Sequence, residues 1–487
     1  MSRPSLGLVG VVALLAVGYG VASATAPVTT SPATHVPERL VPVARADAVC
    51  PDPVSDASTS TALAVGAPGS GSSAPGGLTV SALGSGAGST LGSRRSPGSL
   101  RLDAPRHSPP VTIQATGGLA PGMTATMLGR ADRGHLRGLA ATTCVPPGTD
   151  FWFVGSGSAV GQRGRLYLSN PSPAPALVDV TLFGPDGRVQ APAGRQIAVA
   201  AGGQEVRKLD ALAPGVGRFA LHVQVRQGRV AAAVRDQQVN GLIQKGTDWV
   251  PVAAPPARHQ VLVGVPAGPG SRSLQVMVPG DSDAIVRVRL VNEDGSSAPA
   301  GLDVIESPSH AVSQVELSGV TRGRAVAVEL SSDVPIVAGV LARTNGGPTT
   351  PADIAYATSG RALSDRAPGL LVVASVAGAA PTRVLVLAAA GRRAHVVLEP
   401  LGGDPGKRTV VDVPAQSLRL VPVSDVPNAG LAAFTVTPSA GSGPVMAAVA
   451  VSEKGHVGGL LTGWPLVPGR YQVAVPVVVA DITTGLP

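Results

Sequence analysis

Four stretches of this chain follow one course, and their spacing limits the fold more than any other feature. The segment RLYLSNPSPAPALVDVTLFGPDG begins at Arg165. It reads as a strand, a polar turn, a second strand of strict alternation, and then Asp-Gly. SLQVMVPGDSDAIVRVRLVNEDG repeats this from Ser273, and RVLVLAAAGRRAHVVLEPLGG from Arg383 does so without the Asp. A weaker copy, TALAVGAPGSGSSAPGGLTVSALGS, begins at Thr61. The starts at 61, 165, 273 and 383 lie about 104 to 110 residues apart. A second set of apolar hairpins recurs at Ala120, Gly215, Thr321 and Asn428. Self-similarity at a fixed period predicts tandem structural units.

Alternation sets the class. Val178, Val180 and Leu182 share one face of a strand, opposite Asp179 and Thr181. Val286, Val288 and Leu290 likewise oppose Arg287 and Arg289. A period of two belongs to half-buried strands. The 62 Gly and 46 Pro residues cut short any long helix. The chain therefore reads as all-β, with six or seven strands per unit. Units of this size suggest tandem immunoglobulin-like β-sandwiches, about four of them, although the Cys-Trp-Cys signature is absent. The alternative is a β-propeller, with two blades per unit.

The expected boundaries are residues 1–26 for a signal peptide or membrane anchor, 27–48 for a Pro/Thr-rich linker, and 49–150 for a degenerate first β-unit. Residues 151–250, 251–360 and 361–487 form the second, third and fourth. The first unit carries two Gly/Ser-rich insertions, GAPGSGSSAPGG and GSGAGSTLGSRRSPGS, which read as exposed loops.

The N-terminus suggests the compartment. An uncharged apolar run, an N-terminal helix from Leu6 to about Ala22, follows Arg3 and precedes Ala22-Ser23-Ala24, a small-residue cleavage pattern. Cleaved, it gives a secreted protein; uncleaved, it anchors the chain in the membrane with the rest outside. Cys50 and Cys144, the two cysteines, then favour a disulfide over a metal site. The net charge of +8 and pI near 10.1 suit an anionic partner such as a cell-wall polymer. Nucleic acid is not expected, because no basic helix or aromatic–basic face occurs.

Motifs that would carry chemistry are missing. There is no Gly-x-Ser-x-Gly elbow. GSGSAVG at Gly155 runs into a strand rather than a helix, and GGDPGKRT at Gly402 is one residue short of a phosphate loop. The eight histidines are scattered, and His222 and His395 fall on outward strand faces. The acidic residues favour turns, and GDSD at Gly280 is a weak calcium signal. No cofactor, metal or catalytic residue is expected. Only twelve aromatic residues occur. Trp152, Trp249 and Trp464, with Tyr356 filling the skipped place, recur about once per unit. They read as junction aromatics that anchor packing, Trp152 at the end of the first unit.

The leader, the cysteine pair, TDFWFVG, LYLSNPSPAPALVDVTLFGPDG and RVAAAVRD together resemble a family of exported actinobacterial envelope proteins defined only as a domain of unknown function. That resemblance implies an envelope location and assigns no catalytic residue. The expected role is a non-catalytic cell-envelope protein that holds or presents a surface to an envelope protein or wall polymer. A carbohydrate-binding or adhesive module is the alternative, and an enzyme with a dispersed site is a third.

Overall fold

The computed structural model describes residues 39–475, apart from 57, 70–74, 85–88, 105–107, 378–380, 403–406 and 425–429. The apolar leader, the linker up to residue 38, His35, His107 and the centre of GGDPGKRT lie outside the described residues. The described chain is all-β, with only two single-turn helices, Leu209–Leu212 and Ser318–Thr321, and one 3-10 turn, Pro192–Gly194. No helix among these residues is long and apolar enough to cross a membrane. The two ends of the described chain, up to Val41 and from Ala474, make one small unit. In it β1 (Arg39–Pro42) pairs with the last strand, Gln472–Val475.

Residues Pro42–Val473 form the main unit, and one topology occurs in it four times. The first copy contains β2 (Arg45–Cys50), β3 (Thr59–Ala67), β4 (Gly76–Ala82), β5 (Thr90–Arg94), β6 (Gly98–Ala104), β7 (Val111–Gly117), β8 (Thr124–Ala131) and β9 (Gly138–Thr143). Its sheets run β2-β7-β4-β5 and β6-β3-β8-β9. The second contains β10 (Asp150–Val154), β11 (Arg165–Ser169), β12 (Ala176–Gly184), β13 (Gly187–Val189), β14 (Ile197–Val199), β15 (Gln204–Lys208), β16 (Ala220–Gln227), β17 (Ala231–Asn240) and β18 (Ile243–Val250). Its sheets run β10-β16-β12-β13, with β14 also on β12, and β15-β11-β17-β18.

The third copy contains β19 (Ala257–Val265), β20 (Arg272–Met277), β21 (Ala284–Asn292), β22 (Gly295–Ser297), β23 (Val304–Ser307), β24 (Val312–Glu316), β25 (Val326–Arg343) and β26 (Ile354–Thr358). Strand β25 serves both layers: its first half pairs with β19 and β21, its second with β20 and β26. The fourth contains β27 (Gly369–Ala374), β28 (Thr382–Ala389), β29 (Ala394–Pro400), β30 (Thr409–Val413), β31 (Ser417–Pro422), β32 (Leu431–Pro438), β33 (Met446–Lys454) and β34 (Gly459–Pro465). Its sheets run β27-β32-β29-β30 and β31-β28-β33-β34. The terminal strand Gln472–Val475 is β35.

Every copy thus has eight strand positions, ordered 1-6-3-4 in one sheet and 5-2-7-8 in the other. Six or seven were expected. The connectivity also departs from the immunoglobulin one, which keeps its first two strands in one sheet; here they lie in opposite sheets. The layers are paired sheets rather than propeller blades. The period-two reading holds in detail: along β21, Val286, Val288 and Leu290 are buried between exposed Arg287 and Arg289. Val178, Val180 and Leu182 join the second unit's core. Two boundaries move. The stretch read as linker is paired from Arg39: β1 joins β35, and Arg45–Cys50 forms an edge with β7. The second Gly/Ser insertion is not all loop, since Thr90–Arg94 pairs with β4.

The four sandwiches close into a cycle within this unit. The first strand of each lies against the second sheet of the next: β2 on β17, β10 on β20 and β25, β19 on β28 and β33, and β27 on β3 and β8. The seams are apolar. Ala62, Ala64, Leu128 and Leu139 of the first unit are continuous with the core of the fourth. Val261 and Val263 pack with Val386 and Ala448 between the third and fourth. A bidentate ion pair adds to the first–fourth seam, where Arg130 Nε and Nη2 donate to Glu453 Oε2 and Oε1 at 2.8 and 2.6 Å. The Glu453 carboxylate strengthens the guanidinium's hold on its proton.

Each unit is also tied to its own start. The segment after the eighth strand bridges back to the first strand at Val49–Val145, Trp152–Ala253, Leu262–Ser359 and Gly369–Pro468. In the first unit a covalent bond reinforces this closure, because Cys50 and Cys144 form a disulfide. The crosslink spans 94 residues, and a loop near that length constrains the unfolded chain by about 4.7 kcal/mol. Reduction with dithiothreitol, or Cys144→Ser, is expected to lower the urea midpoint of the first unit by a comparable free energy. An unchanged midpoint would show that the bridge adds nothing beyond the strand pairing.

Candidate functional site

The eighth strand of each unit is the edge of its sheet, so one side of its backbone has no strand partner. Unpaired edge N–H groups must find acceptors if they are buried. The cycle brings four such edges together: β9 packs on β18, β18 on β26, β26 on β34, and β34 on β9. The acceptors there are carboxylates.

Asp353, immediately before β26, is fully buried. Its Oδ2 accepts the N–H groups of Leu139 and Leu461, both at 3.0 Å, and its Oδ1 accepts that of Thr247 at 3.3 Å. One side chain therefore joins the other three eighth strands. Asp248, on β18 and also fully buried, accepts at Oδ1 from Ala141 N at 3.1 Å, Thr462 Oγ1 at 2.8 Å and its neighbour Trp249 N at 2.8 Å. Its Oδ2 has no partner among the described residues. Arg137, just before β9, donates from Nη1 to Ala352 O at 2.9 Å and from Nη2 to the Val457 and Gly458 carbonyls. The approach is close enough to require glycine. At Gly246, φ is +117° and an added Cβ would lie 2.4 Å from Ile354 N.

Burial penalises the charged form of these acids. It raises the Asp353 carboxyl to about 7, against the opposing pull of the N–H bonds and of Arg137. Burial also lifts Asp248 well above the usual carboxylate range, with Asp353 adding to the effect and the Thr462 hydroxyl opposing it. The unpartnered Asp248 Oδ2 is the oxygen free to carry a proton. Burial likewise lowers the Arg137 guanidinium.

A second buried network centres on Asp236 of β17. Its Oδ1 accepts from Ser156 Oγ at 2.9 Å, and its Oδ2 from Tyr356 OH at 2.6 Å and Gln238 Nε2 at 2.7 Å. Tyr356 OH also accepts from Ser156 N at 3.2 Å. Burial first, then Asp236, pushes the Tyr356 hydroxyl well above the ordinary tyrosine range. Ser156 is non-glycine at φ 72°, beside Gly155 at 141°. Strain in this left-handed region persists only where neighbours over-determine it. The network leads outward: Gln238 Oε1 accepts from Arg343 Nε at 3.3 Å and Nη2 at 2.9 Å. Arg343 lines a cavity of about 340 Å³ between the second and third units.

The aromatics read as a repeating set divide in two. Trp249, Tyr356 and Trp464 lie on eighth strands, opposite Arg235, Leu341 and Val449 of the seventh; the first two face the preceding unit, and Trp464 turns into the core of its own. All three are buried. Trp249 packs with Met127 and Ala140 of the first unit, and Tyr356 enters the second unit's core. Trp152 belongs elsewhere. It sits on β10 and is buried between the second and third units against Met277, Val312 and Val337, not at the end of the first unit. His222, read as an outward residue, stacks on Trp152 at 3.8 Å and shares a hydrogen bond with Asp150 at 2.8 Å. His395 stays largely exposed beside Asp412. Asp281 and Asp283 of GDSD close a loop, bonding the His310 ring and Ser309 N, both at 2.8 Å.

The acids that hold the cycle together are not in turns, contrary to expectation. Asp236, Asp248 and Asp353 lie in or beside apolar strands, a pattern visible in GTDWV and ADIAYA. No group of three or more His, Cys, Asp or Glu among the described residues has metal-holding geometry.

Because the folded state holds the Asp353 proton more tightly than the unfolded chain, stability falls as pH rises from about 4 to about 7 and levels above that. Urea unfolding from pH 5 to 8 is expected to show a loss of a few kcal/mol. Asp353→Asn should reduce that slope, and a slope unchanged in the variant would exclude Asp353 as its source. Gly246→Ala should destabilise at every pH, by about 2 kcal/mol or more, since backbone stands in the way.

No curated protein sequence matches this chain. A solved structure, the crystal structure of Thermotoga maritima 1070, is 18% identical; the match covers 21% of this chain and 92% of that one, with a TM-score of 0.18. The pattern of the family of unknown function DUF5719 matches residues 102–424, from the fifth strand of the first sandwich to just past the fifth of the fourth. By that match, over more than half its length, the chain belongs to this family.

Proposed function

We propose that this chain is a non-catalytic interaction protein of the cell envelope, exported and either released or held at the membrane by its apolar leader. One observation carries the reading: the buried acids are spent on structure. Asp353 and Asp248 accept from the strand edges of neighbouring units, and the Asp236 oxygens are taken by Ser156, Tyr356 and Gln238. A catalytic acid or base needs a reacting atom within hydrogen-bond reach, and these enclosed groups face backbone N–H groups and the side chains of Thr462, Ser156, Tyr356 and Gln238 instead. The Cys50–Cys144 bond supports an oxidising compartment. The excess of arginine supports an anionic partner, either an envelope protein or a wall polymer.

Crosslinking and pull-down of the full chain from the source organism's envelope is expected to recover a specific partner, with N-terminal sequencing deciding between release and anchoring. Binding to purified wall glycan alone would favour the adhesive alternative. Recovery only from a cytoplasmic fraction, with both cysteines reduced, would overturn the proposal.

A further inference from the structure

The cavity between the second and third units has features that the cycle does not need. Its volume, about 340 Å³, falls in the range of small-ligand sites. Two cations, Lys245 and Arg343, line it, and no Asp or Glu does. Arg343 is held in place. Its Nε and Nη2 both donate to Gln238 Oε1, and Gln238, only 6% exposed, is fixed in turn by Asp236. The guanidinium Nη1 has no protein partner among the described residues. Lys245 Nζ donates to Gly347 O and Thr350 O, both at 2.7 Å, which leaves one ammonium proton free. The Asp236 carboxyl lies behind Gln238, its oxygens already taken. At the mouth, Val160 is 106% exposed. An apolar side chain so open at the rim of a cationic pocket suits a ligand with an apolar or sugar face beside its charge.

The geometry points to a binding site here for an oxyanion, phosphate or carboxylate, carried on a sugar-sized unit of an anionic wall polymer. A preorganised guanidinium with a free Nη1 and a nearby ammonium provide charge-assisted bonds to such a group. This deepens the reading of the chain as an interaction protein and rests on it for the source of the ligand.

Calorimetric titration of the intact protein with sn-glycerol 3-phosphate, D-glucuronate and neutral D-glucose tests the site. Both anions, or one, are expected to bind, with glucose at least tenfold weaker and affinity falling as salt rises. The stronger anion identifies a phosphodiester or a uronate polymer as the source. Arg343→Met should cost about tenfold in affinity. Since that change also frees Gln238, Val160→Glu provides a second test: it places a carboxylate on a fully exposed rim residue and should weaken anion binding with an unchanged unfolding midpoint. Glucose binding as tightly as the anions, equal anion affinity in the wild type and both variants, or no anion binding at tens of millimolar would each overturn the site. Binding only of an acidic peptide, such as oligoglutamate, would overturn it as a polymer site. A partner captured from the envelope by a protein that binds no anion would sink this site and leave the broader proposal standing.

Discussion

An unpaired strand edge buried inside a protein is the constraint from which the rest of this structure follows. Each sandwich ends in an edge strand, and the cycle turns four such edges toward one another. Strand-to-strand pairing among them would require one continuous sheet. Instead Asp353 and Asp248 accept the free N–H groups of strands they do not belong to. Each N–H left without an acceptor there would cost about 1–3 kcal/mol. A pair of buried acids with raised proton affinity is the lesser penalty, and it fixes which strand lies against which. The same short reach explains Gly138 and Gly246, where a side chain would collide with Asp353 or its backbone.

The seams add area to that polar centre. Many of their residues are small: Ala62, Ala64, Ala140, Ala141 and Ala448 are all buried. Small side chains let sheet faces approach closely, at the expense of less apolar area per residue. A chain this rich in Ala, Val and Gly and this poor in aromatics therefore spends its few large rings where the gaps are widest. Trp152 fills the second–third seam and Trp249 the first–second. The scarcity of aromatics then marks a packing strategy and carries no message about ligands.

The sequence made the period, the class and the disulfide legible because each rests on a local or countable signal. Alternation in IVRVRLV reports the two faces of β21 directly. Two cysteines allow one intramolecular pairing. What was not legible depends on contacts far apart in the chain. Nothing near Asp353 announces that its oxygens meet Leu139 and Leu461, 214 and 108 residues away. Trp152 joined the wrong set because its distance from Trp249 is close to one period, while its place, on a first strand rather than an eighth, is a matter of topology. Its neighbour His222 looked exposed because alternation along β16 places it off the sandwich core, and the next sandwich covers that face.

The four seams are alike in topology and different in chemistry, and that difference is the route from architecture to role. The first unit has no aromatic on its eighth strand, where the others carry Trp249, Tyr356 and Trp464. It has the disulfide instead. The first–fourth seam carries the buried Arg130–Glu453 pair, fitting for the junction that joins the two ends of the repeat. The second–third seam carries the Asp236–Tyr356–Ser156 network and, beyond Gln238, an open cationic cavity. Closure alone would be served by four equal seams. Covalent and ionic ties at one side of the cycle hold the frame, which leaves the opposite side free to keep a strained serine, a tethered arginine and unfilled space.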